Sequence, residues 1–394
     1  LSTSSAASDV YKRQIYMLLI KNANVYAPES LGIKDLLIAN GRIQAIENNI
    51  EKNKLFSQIW DAQEKIVTPG IIDQHVHIIG AGGKNGFHSM TPEIKMTDLI
   101  SCGTTTVVGL LGTDGSSRSI KTLNAKTKSL INEGISAYMY TGYYGLDPIH
   151  LTESVKDDMM FIDNVLGCKI ALADIRSSYP TPLELVRLLK DIRVGGMLAS
   201  KKGILHIHLG ALTDKMDVLF DLVENFEFPI EHISPTHVGR TKDLFEQAIK
   251  FAKLGGMIDI TTGASKYTDP YKSVLYALEK GVDISKITFS SDGNAGLEKL
   301  DDKGKLIGFR KAPVDKNLEE VISLIKKGGV SIEDAFKIIT KNPANNLGLT
   351  NKGIIKVGAD ADFCVFDSDL KLMDVLAHGV LMMENYDLKV NDSF

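Results

Sequence analysis

The chain has 394 residues, of which 44% are hydrophobic and 24% charged, and its formal net charge is −4. This length exceeds the usual size of one compact core, so we expect one large domain with a smaller satellite. The small negative charge gives no electrostatic argument for binding nucleic acid or an anionic membrane. No apolar run reaches the roughly 18 residues that a membrane span needs. Three widely separated cysteines argue against a disulfide framework and favour a reducing cytoplasm.

Residues 1–14 have neither an apolar signal core nor a clear period. They resemble either a non-native leader of translated adapter sequence or a disordered tail. We expect the natural start near Met17, and neither interpretation changes the predicted function.

The two ends of the chain have the same sequence pattern. Short apolar or alternating segments, separated by turn residues such as Asn40-Gly41, follow Met17 and return at 353–367 and 380–384. We therefore expect residues 15–68 and 346–394 to form one small β-sandwich domain. Residues 69–345 would then be a domain inserted into it.

In the central part, apolar strand-like runs alternate with amphipathic stretches, which is typical of repeated βα units. Helices are predicted over 119–133, 182–191, 242–254 and 270–280. Eight such units predict a (β/α)8 barrel of the TIM type, in which an active site lies at the C-terminal ends of the strands. The eight strand-like runs are 71–78, 104–111, 136–140, 169–173, 204–209, 231–236, 257–261 and 287–291.

The first predicted barrel strand ends in His75-Val-His77. Successive strand side chains point to opposite faces, so the two imidazoles project together and could bind a metal ion. Polar strand-end residues bonded to backbone or water would give the same pattern. Other predicted strand ends carry further candidates, namely Thr113, Tyr144, Lys169, His208, His237 and Asp292.

Four imidazoles and one carboxylate suit zinc or a related divalent metal better than calcium or magnesium, and they suffice for two ions. Lys169 conflicts with this site as an ammonium, because it has no lone pair. It could pair with a carboxylate such as Asp174. Among the histidines, however, an amine carbamylated by carbon dioxide would offer two anionic oxygens that bridge the metals.

The chain resembles an isoaspartyl (β-aspartyl) dipeptidase of the amidohydrolase superfamily from about Met17 to its C-terminal strands. The His-x-His pair indicates the superfamily only, whereas Gly-Leu-Leu-Gly-Thr-Asp and Pro-Thr-His-Val-x-Arg are more specific to the dipeptidase. The segments that carry the resemblance are 69–77, 107–114, 165–169, 174–178, 235–240, 256–261 and 290–294.

The resemblance implies a binuclear zinc centre and the mechanism that goes with it. A hydroxide bridging two zinc ions would attack the side-chain amide bond of a β-aspartyl dipeptide, and Asp292 would carry the proton to the departing amine. Tyr144 would donate to the developing oxyanion. In this scheme one zinc ion is bound by His75 and His77 with Asp292 beside it, the other by His208 and His237, and carbamylated Lys169 lies between them.

Substrate contacts and assembly are also implied by the resemblance. Arg176 and Arg240 would hold a substrate carboxylate, since a guanidinium presents two parallel donors to it. Gly82 and Thr113 would contact the aspartyl part. The family also suggests a homo-oligomer.

Two positions depart from the family pattern. Lys84 stands where the family has a glutamate that receives the α-ammonium of the substrate, and Gly296 replaces a serine that contacts the aspartyl carboxylate. The chain could keep dipeptidase activity with a displaced acid such as Glu93, or Lys84 could simply turn into solvent. It could instead hydrolyse a related N-acyl or cyclic amide. A catalytically silent assembly scaffold is the non-enzyme alternative, and the complete ligand set argues against it.

Overall fold

The computed structural model describes residues 17–54, 56, 58–83, 85–263 and 267–393. Residues 1–14 and Lys84, for which the sequence led to specific expectations, lie outside the described residues. Strands and helices are numbered below in chain order.

The two chain ends meet in one nine-stranded sheet. Strand β5 pairs antiparallel with β16, so N-terminal and C-terminal strands are hydrogen-bonded neighbours. Alternate residues of β1, such as Leu18 and Ile20, enter an apolar core that also contains Phe363 and Val365. The strands are β1 Met17–Tyr26, β2 Ser30–Ala39, β3 Arg42–Glu47, β4 Gln58–Asp61, β5 Ile66–Pro69, β16 Phe363–Phe366, β17 Leu372–Ala377, β18 Val380–Glu384 and β19 Asp387–Leu388.

Eight parallel strands form the second sheet, in the order β6 to β13. A parallel bridge joins Val76, in the first of these strands, to Gly293, which follows the last, so the barrel is nearly closed. All eight predicted runs overlap these strands, so the predicted barrel is confirmed. The strands are β6 Ile71–Val76, β7 Thr104–Gly109, β8 Ser136–Gly142, β9 Val165–Leu172, β10 Ile204–Leu209, β11 Ile233–Thr236, β12 Ile258–Thr261 and β13 Ile287–Ser290. The domain boundaries at 68/69 and 345/346 stay a prediction.

Helices cover the outside of the barrel, and polar side chains and glycines cap their ends. Before α6, the Thr241 hydroxyl accepts a hydrogen bond from Leu244 N, and Gly255 follows the helix at φ 102°. The helices are α1 Met96–Ile100, α2 Ile120–Asn132, α3 Val155–Phe161, α4 Pro182–Leu198, α5 Asp217–Glu224, α6 Lys242–Lys253, α7 Pro270–Glu279, α8 Lys316–Lys326, α9 Ile332–Lys337 and α10 Lys341–Leu347.

Helix α4 extends seven residues beyond its predicted end at residue 191. The added part contains Gly195 and Gly196, which lie inside the helix and are buried. A Cβ on Gly195 would lie 2.8 Å from Met159 Cβ of α3, so the absent side chain permits close helix packing. Tertiary contact here outweighs the low helix propensity of glycine.

Two further elements shape the ends of the barrel. The hairpin of β14 (Gly296–Leu300) and β15 (Leu306–Lys311) follows the last barrel strand. At the opposite end, α10 places Ala344 and Leu347 in an apolar cluster with Ile72 and Tyr140 of the barrel. Among the described residues, no helix is both long enough and apolar enough to cross a membrane.

Candidate active site

The barrel places the predicted metal ligands at the C-terminal ends of its strands. His75 lies on β6, Lys169 on β9 and His208 on β10, whereas His237 and Asp292 follow β11 and β13. The last two have left-handed backbones, with φ of 64° and 52°. Such conformations in residues other than glycine are costly and cluster at functional sites.

His75, His77 and Asp292 form the tightest group. Asp292 Oδ1 lies 3.3 Å from His75 Nε2 and 3.2 Å from His77 Nε2, and the candidate ligand atoms all lie within 4.8 Å of one another. Burial lowers the pKa of His75 to about 3, so its imidazole is neutral and keeps a lone pair. Burial also disfavours the charged form of Asp292, but its contacts with His75 and His77 hold its pKa well below the usual range. Two imidazoles and a carboxylate fit a divalent metal such as zinc.

Lys169 is fully buried beside this group. Its Nζ lies 3.4 Å from His75 Nε2, and burial lowers its pKa to about 7. Asp174, the alternative partner considered from the sequence, instead pairs with Arg176 at 2.6 Å. An amine with this pKa is neutral in a large fraction near neutral pH, and a neutral amine is the form that reacts with carbon dioxide. The environment of Lys169 therefore fits a carbamate.

The other two predicted ligands lie close by. The ring centroids of His208 and His237 are 4.5 Å apart. His237 Nδ1 lies 2.5 Å from Thr261 Oγ1, which leaves its Nε2 for another ligand. Both nitrogens of His208 have partners, since Nδ1 lies 2.7 Å from Tyr144 Oη and Nε2 lies 3.0 Å from Asp174 Oδ2. His208 would therefore have to exchange one of these contacts to bind a metal.

A cavity of about 440 Å³ opens above the cluster. Arg176 in its wall is held by Asp174, with Nη2–Oδ2 and Nε–Oδ1 distances of 2.6 and 2.8 Å. Burial raises the pKa of Asp174, but hydrogen bonds from Arg176 and His208 outweigh it and hold the pKa well below the usual range. The predicted substrate contacts that line the cavity are Gly82, Thr113, Tyr144, Arg176, Arg240 and Gly296.

Lys84 lies outside the described residues, so the structure assigns it no position. Glu93 does not line the cavity, and its Oε2 lies 3.5 Å from Lys126 Nζ. Among the described residues of the cavity wall, the carboxylates are Asp114 and Asp292. The displaced-acid hypothesis based on Glu93 therefore receives no support from the geometry.

One buried histidine is absent from the predicted set. His206 is fully buried, and its Nε2 lies 2.8 Å from His75 Nδ1. Strand β10 reads Ile204-Leu-His-Ile-His208, a second His-x-His sequence. This repeat of the β6 pattern is the signal that could have indicated His206.

The amidohydrolase family profile matches residues 199–390. A beta-aspartyl dipeptidase from Fervidobacterium islandicum AW-1, crystallised with the dipeptide beta-Asp-Leu, is 39% identical to this chain. The match covers 97% of this chain and 100% of that one, with a TM-score of 0.90. The dihydroorotase of Elusimicrobium minutum is 23% identical, over 89% of this chain and 88% of the relative.

The fold and these matches define the class: the chain belongs to the amidohydrolase family, whose members hydrolyse carbon–nitrogen bonds and generally use a metal. Within that family, the match along the whole chain confirms the resemblance to beta-aspartyl dipeptidases that was recognised in the sequence. The L-hydantoinase of Arthrobacter aurescens shares the fold at 15% identity, with a TM-score of 0.65 over 96% of this chain and 98% of that one.

Proposed function

We propose that the protein hydrolyses the side-chain amide bond of β-aspartyl dipeptides at a binuclear zinc centre. The observation that carries this proposal is that Arg176, Arg240 and Tyr144 line the same cavity as His77 and Asp292. Such a cavity offers donors for a substrate carboxylate next to ligands for a metal. The similarity to a beta-aspartyl dipeptidase crystallised with beta-Asp-Leu supports the same substrate class.

Six residues would hold the two metal ions. When bound, zinc lowers the pKa of water toward neutrality and polarises a carbonyl group. The neutral imidazole of His75 and the ionised carboxylate of Asp292 are already in the protonation states that ligands require. The proposed ligands are His75, His77, His208, His237, Asp292 and the carbamate formed on Lys169.

Asp292 would transfer the proton in the reaction, and Tyr144 would stabilise the negative charge that develops on the substrate oxygen. The low pKa of Asp292 keeps it ionised, so it can accept a proton and pass it to the departing amine. Burial raises the pKa of Tyr144, which keeps its hydroxyl protonated and able to donate to the substrate carbonyl oxygen. To do so, Tyr144 would release its 2.7 Å contact with His208 Nδ1.

Arg176 and Arg240 would bind the carboxylates that flank the scissile bond. Arg176 is preorganised, because Asp174 fixes its guanidinium and its Nη1 also lies 3.3 Å from Thr113 Oγ1. Preorganised guanidinium groups lose less conformational freedom when they bind a carboxylate.

A substitution at Lys84 tests how the protein binds the α-ammonium group of the substrate. We expect Lys84→Glu to raise kcat/KM for a β-aspartyl dipeptide about tenfold or more, because it replaces repulsion of the α-ammonium with attraction. Steady-state kinetics with a free and an N-acetylated dipeptide measures this effect. The N-acetylated substrate is the control, since it has no ammonium and should not gain. An unchanged or lower value for the free dipeptide would mean that Lys84 does not contact the substrate.

Hydrolysis of a related N-acyl or cyclic amide is the second candidate. The Elusimicrobium minutum relative is named dihydroorotase, and dihydroorotate is a cyclic amide with one carboxylate. Lys84 and Gly296 depart from the dipeptidase pattern at the aspartyl head, which favours some change in substrate recognition.

A substrate panel separates the two candidates. Purified protein loaded with zinc and bicarbonate is assayed on β-aspartyl dipeptides, their N-acyl forms and cyclic amides that include dihydroorotate and hydantoins. We expect the highest kcat/KM on a β-aspartyl dipeptide. Turnover of a cyclic amide without turnover of any β-aspartyl dipeptide would overturn the first proposal.

The homo-oligomer and the cytoplasmic location expected from the sequence stay predictions.

A further inference from the structure

A hydrogen-bonded chain of buried side chains begins at the candidate ligand His75. His75 Nδ1 lies 2.8 Å from His206 Nε2, and His206 Nδ1 lies 3.2 Å from Ser234 Oγ. The His206 ring stacks on Tyr140, with centroids 4.7 Å apart and planes 14° apart. His206 and Ser234 are buried, so their partners are other side chains instead of solvent.

The chain continues to the helix at the opposite end of the barrel. Asn346 Nδ2 of α10 donates to Ser234 Oγ and to Gln74 Oε1, both at 2.9 Å. Since α10 packs on the barrel with Ala344 and Leu347, Asn346 links this helix to a candidate metal ligand at the far end of the barrel.

Asp259 fixes the orientations of the Gln74 and Asn346 amides. Gln74 Nε2 donates to Asp259 Oδ1 at 2.8 Å, and Thr288 donates to the same oxygen at 2.8 Å. Thr236 and Ser290 donate to Oδ2, each at 2.5 Å. A carboxylate surrounded by four donors acts as an acceptor only, so Gln74 must turn its nitrogen to Asp259 and its oxygen to Asn346.

The orientation of Asn346 has a consequence for His75. Asn346 donates to Ser234 Oγ, whose remaining lone pair can accept from His206 Nδ1–H. Metal binding by His75 Nε2 selects this direction, in which His75 Nδ1–H donates to His206 Nε2. This arrangement leaves the lone pair on His75 Nε2, the atom that faces Asp292 Oδ1 at 3.3 Å and Lys169 Nζ at 3.4 Å.

We propose that His206 and Asn346 are positioning residues that fix the tautomer and ring orientation of His75 for metal binding. The proposal rests on the metal site of the proposed function, but not on the substrate. Partners of metal-binding histidines typically contribute about 10–100-fold in metal affinity. The chain also connects α10, which contains no proposed ligand, to the metal centre.

The experiment measures metal affinity directly. Full-length protein stripped of metal and supplied with bicarbonate is titrated with Co²⁺, followed by its visible absorption, and with Zn²⁺ in competition with a chelator. His206→Leu removes the acceptor at similar volume, and we expect it to weaken one of the two metal sites about 10–100-fold. His206→Gln, whose side-chain oxygen can replace Nε2, should remain close to wild type.

Two further variants separate positioning from folding. Tyr140→Phe is the matched control, because Tyr140 stacks on His206 but its hydroxyl has no hydrogen-bond partner among the described residues. It should bind metal like the wild type. Asn346→Leu interrupts the chain away from the metal and should weaken the same site, which provides the test if His206→Leu does not fold. Excess zinc should restore kcat in the positioning variants with KM unchanged.

The outcomes distinguish this inference from the proposed function. Wild-type metal affinity in folded His206→Leu, or in folded Asn346→Leu, would overturn the positioning role even if the enzyme cleaves β-aspartyl dipeptides. A wild type that binds two metal ions but cleaves none of these dipeptides would overturn the substrate proposal alone. A wild type that binds no metal would overturn both.

Discussion

At the scale of single residues, the candidate site depends on how burial changes ordinary side chains. Lys169 would carry a positive charge in water, but burial lowers its pKa to about 7. Asp292 keeps its charge because two histidines contact it. The same buried cluster thus contains a nucleophilic amine on Lys169 and an ionised carboxylate on Asp292.

The pKa of Lys169 predicts how its carbamylation depends on pH. A base with pKa about 7 is roughly nine-tenths neutral one unit above that pH and one-tenth neutral one unit below. Carbamylation therefore increases as pH rises through this window. Carbon-13 NMR of metal-free protein with labelled bicarbonate should show a carbamate signal that is several-fold stronger above than below pH 7. Lys169→Arg should show no such signal, and equal signals at both pH values would contradict the prediction.

Gly296 gives a prediction about the departure from the family pattern. A Cβ at this position would lie 2.9 Å from Gly82 Cα, so Gly296→Ser cannot simply restore the missing hydroxyl. We expect kcat/KM for a β-aspartyl dipeptide to fall and the free energy of unfolding to drop by about 1–3 kcal/mol, as in other overpacked sites. Kinetics and urea unfolding measure the two effects.

Ala295→Ser is the matched control, since it adds a hydroxyl in the same cavity wall to a residue that already has a Cβ. An increase in kcat/KM for Gly296→Ser would show that the Gly82 backbone yields and that the hydroxyl is used for binding.

At the scale of elements, one wall of the cavity is formed by described residues of the segments 80–83 and 85–90, and it is pinned at its base. Arg118 donates to Ile79 O and, at 2.8 Å, to Thr91 O, so one guanidinium joins the two ends of this segment. Asn294 Nδ2 donates to Pro92 O at 2.7 Å from the other side. The wall therefore owes its position to side chains from two later βα connections.

We expect Arg118→Met to raise KM several-fold with a smaller effect on kcat, because the wall loses the donor that joins its ends. Loss of hydrogen bonds from a charged group should also lower the free energy of unfolding by about 1.5–3 kcal/mol. Steady-state kinetics and limited proteolysis within 80–90 check both results. Arg193→Met, an exposed arginine of α4, is the control and should change neither. Wild-type KM in Arg118→Met would show that the wall holds its position without this contact.

At the scale of the whole molecule, the chain ends and the barrel are built as one continuous structure. Strand β5 runs directly through Gly70 into β6, the strand that carries His75, and β5 also pairs with β16 near the C-terminus. Helix α10 closes the far end of the barrel. Metal binding at one end should therefore stabilise more than the ligand strands alone.

Metal removal tests this coupling together with the scaffold alternative. A ligand present at about 100 times its Kd stabilises the native state by about 2.7 kcal/mol, which for a chain of this length corresponds to a fall in Tm of about 3 °C after chelation. Differential scanning calorimetry before and after chelation measures it, and zinc with bicarbonate should restore the original Tm. Purified protein that holds no zinc and shows the same Tm in all conditions would favour a catalytically silent scaffold.

The sequence by itself determined the eight barrel strands, the meeting of the chain ends and the strands on which His75, Lys169 and His208 lie. These features follow from local periodicity, since an apolar run and its flanking turn residues are read within about ten positions. The resemblance to a known family supplied the roles of the residues. The end of α4 could not be predicted from local sequence. Two buried glycines lie inside this helix, and their missing side chains allow it to pack closely against α3.

Only the tertiary structure decided which atoms meet. The link from Asn346 to Gln74 joins residues 272 positions apart, and the contact of His206 with His75 spans 131 positions. No periodicity encodes such contacts, because they depend on how strands and the closing helix pack around the barrel interior. Gly296 is a further example. The sequence shows only that a glycine replaces the serine of the family, whereas the structure shows that the backbone of Gly82 lies close to this position.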